Sequence, residues 1–232
     1  MSIRTTAGAS LAGALLLASV PAHAQGLSGN VTFASNYMFR GFSQTDNTAA
    51  IQGGLEFSMN GIYAGMWGSN VDFHTPGDGS MEFDVYGGYK YKLSDDAGLD
   101  MGVIGYNYPG ASGNLQYDYT EFYVGGHYRW ISLKDYYSFD FFGGTGKANY
   151  IEMGVDYPLP MGLSLDLHAG RQYISNNTKA GIPDYNDYSV GVSTSASGFG
   201  FSLQYTNTNL SKDQCIYNTC TDKLVVSVSK SF

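Results

Sequence analysis

Residues 81–91 read Met81-Glu82-Phe83-Asp84-Val85-Tyr86-Gly87-Gly88-Tyr89-Lys90-Tyr91. Odd positions carry Met, Phe, Val, Gly, Tyr and Tyr, while even positions carry Glu, Asp, Tyr, Gly and Lys. A side-chain period of two marks a β-strand whose faces meet different surroundings, and a helical period does not fit it. Working outward, Ile51, Leu55, Phe57 and Met59 oppose Gln52, Glu56 and Ser58. Further on, Leu163, Leu165, Leu167 and Ala169 oppose Ser164, Asp166, His168 and Gly170. Each stretch predicts a strand with one apolar and one polar face.

The connections between strands alternate in length. Tight turns are expected at Asn60-Gly61, at 94–98, near Arg129-Trp130, at 158–162 and at Ser197-Gly198. Longer, more polar connections fall at 43–48, 72–80, 109–116, 139–146, 175–184 and 207–221. Strict alternation predicts an all-β chain: a transmembrane antiparallel up-and-down barrel of about 12 strands, with short turns at one end and loops at the other. About 17 residues are available per strand and connection, enough for spanning strands of about 9 to 11 residues. An even strand count lets the last strand pair with the first and removes both sheet edges.

The composition agrees with a wall rather than a globule. The chain has 232 residues with 31 Gly, 20 Tyr and 13 Phe, and only 14 % are charged, against about a quarter in soluble domains. Twelve Lys and Arg against twenty Asp and Glu give a net charge of −8, which excludes nucleic acid as an expected partner. An apolar fraction of 43 % with six Pro and no low-complexity tract excludes disordered and collagen-like chains.

Residues 1–24 read as a secretory signal peptide: Arg4, an apolar run over 7–20, then Ala22-His23-Ala24 as a small-x-small cleavage site. The run is shorter than the roughly 20 residues a spanning helix needs. Residues 25–232 are then expected to form one barrel domain, because only helices and closed barrels satisfy every backbone group in lipid.

Aromatics are expected to form two interfacial girdles. Tyr37, Phe39, Trp67, Tyr108, Tyr119, Tyr137, Tyr150, Tyr173 and Tyr188 fall near the loop ends. Phe57, Tyr63, Tyr89, Tyr91, Tyr128, Trp130, Tyr157 and Phe199 fall near the turn ends. The final strand places Leu224, Val226, Val228 and Phe232 on one face. It is similar to the closing-strand signal that barrel-assembly machinery recognises, with Lys230 as a departure that can snorkel to the interface.

The stretch Ser35-Asn36-Tyr37-Met38-Phe39-Arg40-Gly41-Phe42-Ser43-Gln44-Thr45, followed by Ile51-Gln52-Gly53-Gly54 and by Gly61-Ile62-Tyr63-Ala64-Gly65-Met66-Trp67-Gly68-Ser69-Asn70-Val71, resembles the TorF-family porins of Gram-negative bacteria. The resemblance is specific in this N-terminal third and looser beyond it. It implies an outer-membrane barrel of porin type and brings no substrate with it.

The alternation assigns Arg40, Gln52, Glu56, Glu82, Asp84, Lys90, Glu121, His127, Glu152, Asp156, Asp166 and His168 to the lumen. Acids outnumber bases, so a hydrated lumen would favour cations, whereas a plugged one would pair these groups as structural glue. Twelve tilted strands give a backbone radius of roughly 12 Å. Inward Gly54, Ser58, Gly88, Gly125 and Gly170 are expected to keep a passage open, and the loop 207–221 could cover the mouth. Arg40 is expected to face Glu82 or Asp84, either as part of a constriction or as a structural ion pair.

Cys215 and Cys220 sit together in the last long loop and are expected to form a disulfide in an exported chain. No cofactor or metal is expected, since two thiols fall short of a ligand set. An enzyme is not expected. No His is followed two residues later by Ser, as a lipid-facing hydrolase would require. Glu82-x-Asp84 with Asp166-x-His168 imitates a protease-like pairing, but such pairs arise from any strand with two polar lumen residues. Residues 143–147 lack the first Gly and the final Ser or Thr of a phosphate loop.

The reading favoured by these residues is a porin-like channel for passive diffusion of small hydrophilic solutes, in the bacterial outer membrane with periplasmic termini. Its partners would be outer-membrane lipid and lipopolysaccharide, the assembly machinery and the solutes, as a monomer or an oligomer. The alternatives are a non-conducting barrel displaying loops for adhesion and, further off, a barrel hydrolase.

Overall fold

A computed structural model describes residues 26–232; the signal peptide expected over 1–24 lies outside the described residues. Fourteen strands follow one another. They are β1 (Gly26–Ala34), β2 (Met38–Phe39), β3 (Phe42–Ser43), β4 (Ala50–Met59), β5 (Ile62–Asn70), β6 (Met81–Lys92) and β7 (Ala97–Asn107). Then come β8 (Tyr119–Tyr128), β9 (Ile131–Ser138), β10 (Ala148–Pro158), β11 (Leu163–Ile174), β12 (Tyr185–Ala196), β13 (Phe199–Thr208) and β14 (Lys223–Ser231). All but β2 and β3 form one closed antiparallel barrel of twelve strands, in which β1 pairs with both β4 and β14.

Leaving aside β2 and β3, each barrel strand pairs with the next barrel strand in sequence and β14 closes on β1, so the barrel is a continuous meander. At one end the strands turn tightly. Asn60-Gly61, Arg129 and Ser197-Gly198 adopt positive φ there, which is what two-residue hairpin turns require. The other end carries the long connections, of which the first is longer than the sequence suggests, since 35–49 leave the barrel altogether.

The period of two decides the faces. Val85, Met101, Val124, Leu133, Met153, Val190 and Leu203 point outward, each 43–57 % exposed. Glu82, Asp84, Glu121 and Gln172 point inward and are at most 1 % exposed. Apolar residues outside and polar residues inside invert the soluble arrangement and match a barrel whose outer face meets hydrocarbon. Among the described residues no helix is long and apolar enough to cross a membrane.

The aromatic residues correct the two-girdle expectation. Phe57, Tyr89, Tyr91, Tyr128, Trp130, Tyr157 and Phe199 do face outward at the turn end, at 41–57 % exposure. At the loop end only Tyr137, Tyr173 and Tyr188 do so, whereas Trp67, Tyr108, Tyr119 and Tyr150 are buried inside, as is Tyr63 lower down. Strand parity overrides aromatic preference for the interface: Trp67 follows outward Met66, so it must point inward.

At the closing seam, Gly29 and Phe232 exchange backbone hydrogen bonds of 2.9 and 3.0 Å. The Phe232 ring covers Gly29 and is itself 72 % exposed.

Candidate functional site

The lumen is built from two unlike walls and from a segment folded between them. After β1 the chain turns inward. β2 and β3 form a hairpin whose two central residues, Arg40 (φ 47°) and Gly41 (φ 81°), both have positive φ, as a type I′ turn demands. Gly41 fits closely, because a Cβ there would meet Thr208 and Asp187 side chains within 3 Å. The sequence suggested a continuing strand here; the turn signal was Arg40-Gly41 between Phe39 and Phe42, with Arg standing where Asn or Asp is usual.

Polar side chains fix this inward segment. Asn36 Oδ1 accepts from Ser43 Oγ (2.6 Å) and Thr45 Oγ1 (3.1 Å), and the Gln44 amide donates to the Tyr37 carbonyl (2.7 Å). The Ser43 amide donates to the Thr219 carbonyl (2.7 Å), and the Asp72 amide to that of Gln44 (2.8 Å), so the neighbouring loops hold the segment from above. Cys215 and Cys220 are joined by a disulfide within the connection that supplies Thr219. That connection clamps the inward segment, with the Thr219 carbonyl on Ser43 and the Tyr217 carbonyl on Asn47.

Arg40, at the hairpin tip, does not face Glu82 or Asp84. Its guanidinium makes a two-pronged pair with Glu121, Nη1 to Oε1 at 2.8 Å and Nη2 to Oε2 at 2.6 Å, and donates to Gln172 Oε1 at 3.1 Å. It also lies 4.2 Å from the Tyr150 ring centre and 5.1 Å from that of Tyr136. Burial opposes its charge, but the Glu121 carboxylate more than offsets this and raises its pKa above the ordinary arginine range. Parity alone placed Arg40 in the lumen; its partner depended on the hairpin.

The first wall, β5–β10, is aromatic and charged. At the loop end Glu82 accepts from Tyr37 Oη at 3.1 Å, and Glu121 accepts from Tyr106 Oη at 3.1 Å. Asp84 is fully buried and leans on the Glu82 carboxyl, the two acids sharing a side-chain hydrogen bond, and Tyr108 also reaches Glu82. Nearer the turn end, Lys90 pairs with Glu56 (3.6 Å) and lies over Tyr63, while Lys134 pairs with Asp100 (2.9 Å) and lies over Tyr123.

Inward glycines do not widen the lumen, either on this wall or on the strands β4 and β11 that flank it. Tyr63 pairs across strands with Gly88, and Tyr123 with Gly102. A Cβ on Gly88 or Gly102 would come within 3 Å of the tyrosine ring and of a backbone carbonyl oxygen. Gly125 is covered by Lys134, Gly170 by Tyr150, and Gly54 lies against Trp67. The expectation that these positions keep a passage open is therefore corrected: each glycine is the floor on which a neighbouring side chain lies.

The second wall, β11–β14, is small and mostly uncharged. Apart from Tyr185 and Ile174 at its rim, the inward positions carry Ser, Thr, Gln, Gly and Val with Asp166, His168, Asp187 and Lys223. Ser202 and Ser227 hydroxyls meet at 2.8 Å, and Gln204 donates to Ser189 Oγ at 2.8 Å. His168 Nε2 lies 2.8 Å from Asp187 Oδ1, and Tyr150 Oη, lying over Gly170 from β10, donates to Asp187 Oδ2 at 3.0 Å. Asp166 is buried with one oxygen unpaired.

Between this wall and the inward segment lies a cavity of about 10 Å³, room for roughly one water. Met38 and Gly41 line it from the hairpin, and His168, Asp187, Ser189, Gln204 and Thr206 from the wall. Of the lumen residues expected from sequence, His168 alone reaches this cavity. Glu82 and Asp84 sit behind Tyr37, Lys90 and Glu56 pair near the turn end, and His127 lies exposed at that end on the inward face of β8. Asp187 was missed, although it follows the inward parity of Tyr185. The protease-like set is not assembled, since His168 is bonded to Asp187 while Glu82 and Asp84 lie on β6. Among the described residues no cluster of three or more metal-ligating side chains occurs.

A family model described as "Bacterial protein of unknown function (Gcw_chp)" matches residues 18–232. The chain belongs to this family. Among solved structures, a KdgM porin is similar with a TM-score of 0.60, 11 % identity, and coverage of 88 % of this chain and 99 % of that one. A NanC porin is similar with a TM-score of 0.53, 11 % identity, and coverage of 88 % and 97 %. At this identity the likeness shows the fold: the Gcw_chp chain has the closed barrel seen in porins. No curated protein matches it in sequence.

Proposed function

We propose that this protein is an outer-membrane diffusion channel for small hydrophilic solutes, favouring cations, with both termini on the periplasmic side. The resemblance to TorF-family porins carried by residues 35–45, 51–54 and 61–71, and the barrel shared with the KdgM and NanC porins, support this reading. The carrying observation is the asymmetry of the lumen. The charged wall uses its cations internally, on Glu121, Glu56 and Asp100. The small polar wall beside the cavity offers Asp166 and Asp187 against the single Lys223 at its rim. A solute moving along that wall meets hydroxyls, amides and an acidic field.

The test is single-channel conductance of the refolded protein in planar bilayers. Small, cation-preferring steps are expected, and Asp166→Asn with Asp187→Asn should lower the cation-to-anion permeability ratio by roughly twofold. The inward segment also supports a second reading, a non-conducting barrel that displays its loops. Correctly folded protein that gives no conductance would establish that reading and remove the channel.

A further inference from the structure

The outer face of the barrel carries almost no charge, and where it does the placement is local. Among outward positions of the twelve strands only Asp135, Arg171 and Lys230 are charged. Lys230 lies at the turn end, over the Phe199 ring. Arg171 lies three residues from the loop end of β11, and Lys147 immediately precedes β10 on the same outward face. Their strands are adjacent: Ile151 pairs with Arg171, Asn149 with Tyr173, and the Ser175 amide donates to the Lys147 carbonyl. Lys147 therefore stands four residue pairs above Arg171 on the same outer face, with Tyr173 between them.

Neither cation is neutralised. Among the described residues Lys147 and Arg171 form no ion pair with a carboxylate. Arg171 donates one hydrogen bond, to Asn186 Oδ1 at 3.0 Å, and packs against Tyr173 at 5.0 Å from the ring centre. That hydrogen bond engages one of its five N–H donors. Asp135, on β9, is hydrogen-bonded to Asn149 and bounds the patch on one side. A cation at a lipid-facing position is costly in hydrocarbon and stable only where a polar headgroup can be reached.

We propose that Arg171 and Lys147 form a docking site for the phosphate of a phosphorylated lipid headgroup in the leaflet surrounding the loop end. The inference rests on the reading of the barrel as membrane-embedded. A guanidinium suits phosphate oxygens in two-pronged geometry, and Lys147 adds a point charge from above. Tyr173, Tyr137 and Tyr188 surround the site on the outer surface and set the headgroup level.

The test uses the refolded barrel in dodecyl maltoside micelles, with native mass spectrometry after addition of bisphosphorylated lipid A or its phosphate-free analogue. Wild type should retain the phosphorylated lipid and release the analogue. Arg171→Gln should weaken retention about fivefold, and Lys147→Gln should add a similar factor. Arg129→Gln, at the turn end, should change nothing. Heat-modifiable migration on gels shows that each variant is folded. Equal retention by wild type and Arg171→Gln overturns the proposal, as does a change in oligomer mass without a change in lipid retention, which would mark the patch as a protein interface. A folded barrel that fails to enter liposomes at all would instead remove the membrane reading beneath it.

Discussion

The two walls of the lumen are made of the same twelve-stranded sheet and pursue opposite solutions to inward-facing polarity. On β5–β10 large side chains interlock: tyrosines lie on glycines, lysines on tyrosines, and Arg40 is held by Glu121. On β11–β14 short hydroxyl and amide side chains bond one another along the wall and leave space. One side of the lumen is thus interlocked and filled while the other leaves a cavity of about 10 Å³, and in the proposed channel the path follows the side that packs least.

The sharpest way to break this contrast is at Arg40. Arg40→Ala leaves Glu121 buried and unpaired, so barrel stability should fall by about 3–5 kcal/mol. The hairpin tip should also loosen and conductance rise. Urea unfolding followed on gels, with conductance in parallel, checks both. Arg40→Lys should recover only part, because an ammonium cannot reproduce the two-pronged contact. An Arg40→Ala barrel as stable as wild type would mean that the inward segment is held by its backbone contacts alone.

A smaller effect is expected from the glycine floor. Gly102→Ala puts a methyl against the Gly87 carbonyl and the Tyr123 ring, and neither backbone can recede without moving the ladder. The cost should be about 1–3 kcal/mol, read from the unfolding midpoint. Gly113→Ala, where a Cβ meets nothing within 4 Å, should be close to neutral.

The sequence contained the barrel more fully than it contained the lumen. Alternation at 51–59, 81–91 and 163–171, together with the lengths of the connections, sufficed for strand number, closure and the lipid face, because those follow from local periodicity and turn chemistry. What lies opposite a lumen residue is a long-range fact. Arg40 and Glu121 are 81 positions apart, and nothing in the sequence near either announces the other. The inward hairpin was partly legible, since Arg40-Gly41 between two phenylalanines is a turn signal, but the run of alternation through it hid the break. Trp67 and Tyr150 were misplaced for a related reason: aromatic preference for interfaces was allowed to outweigh their own strand parity.

Glu82 and Asp84 distinguish the walls most finely, although their removal should have the smallest effect on transport. From the sequence they looked like the residues that set ion selectivity. In the fold they are buried behind Tyr37 and hydrogen-bonded to each other, and among the described residues neither forms an ion pair. Two neighbouring acids in such a place are a stability cost without a matching cation. Glu82→Gln with Asp84→Asn should therefore raise stability by about 1 kcal/mol. Cation preference should move far less than it does on neutralising Asp166 and Asp187. Reversal potentials under a salt gradient decide the point. If the Glu82 and Asp84 variant lost selectivity as fully as the other, solutes would be reaching the aromatic wall and the two sides of the lumen would not divide the work.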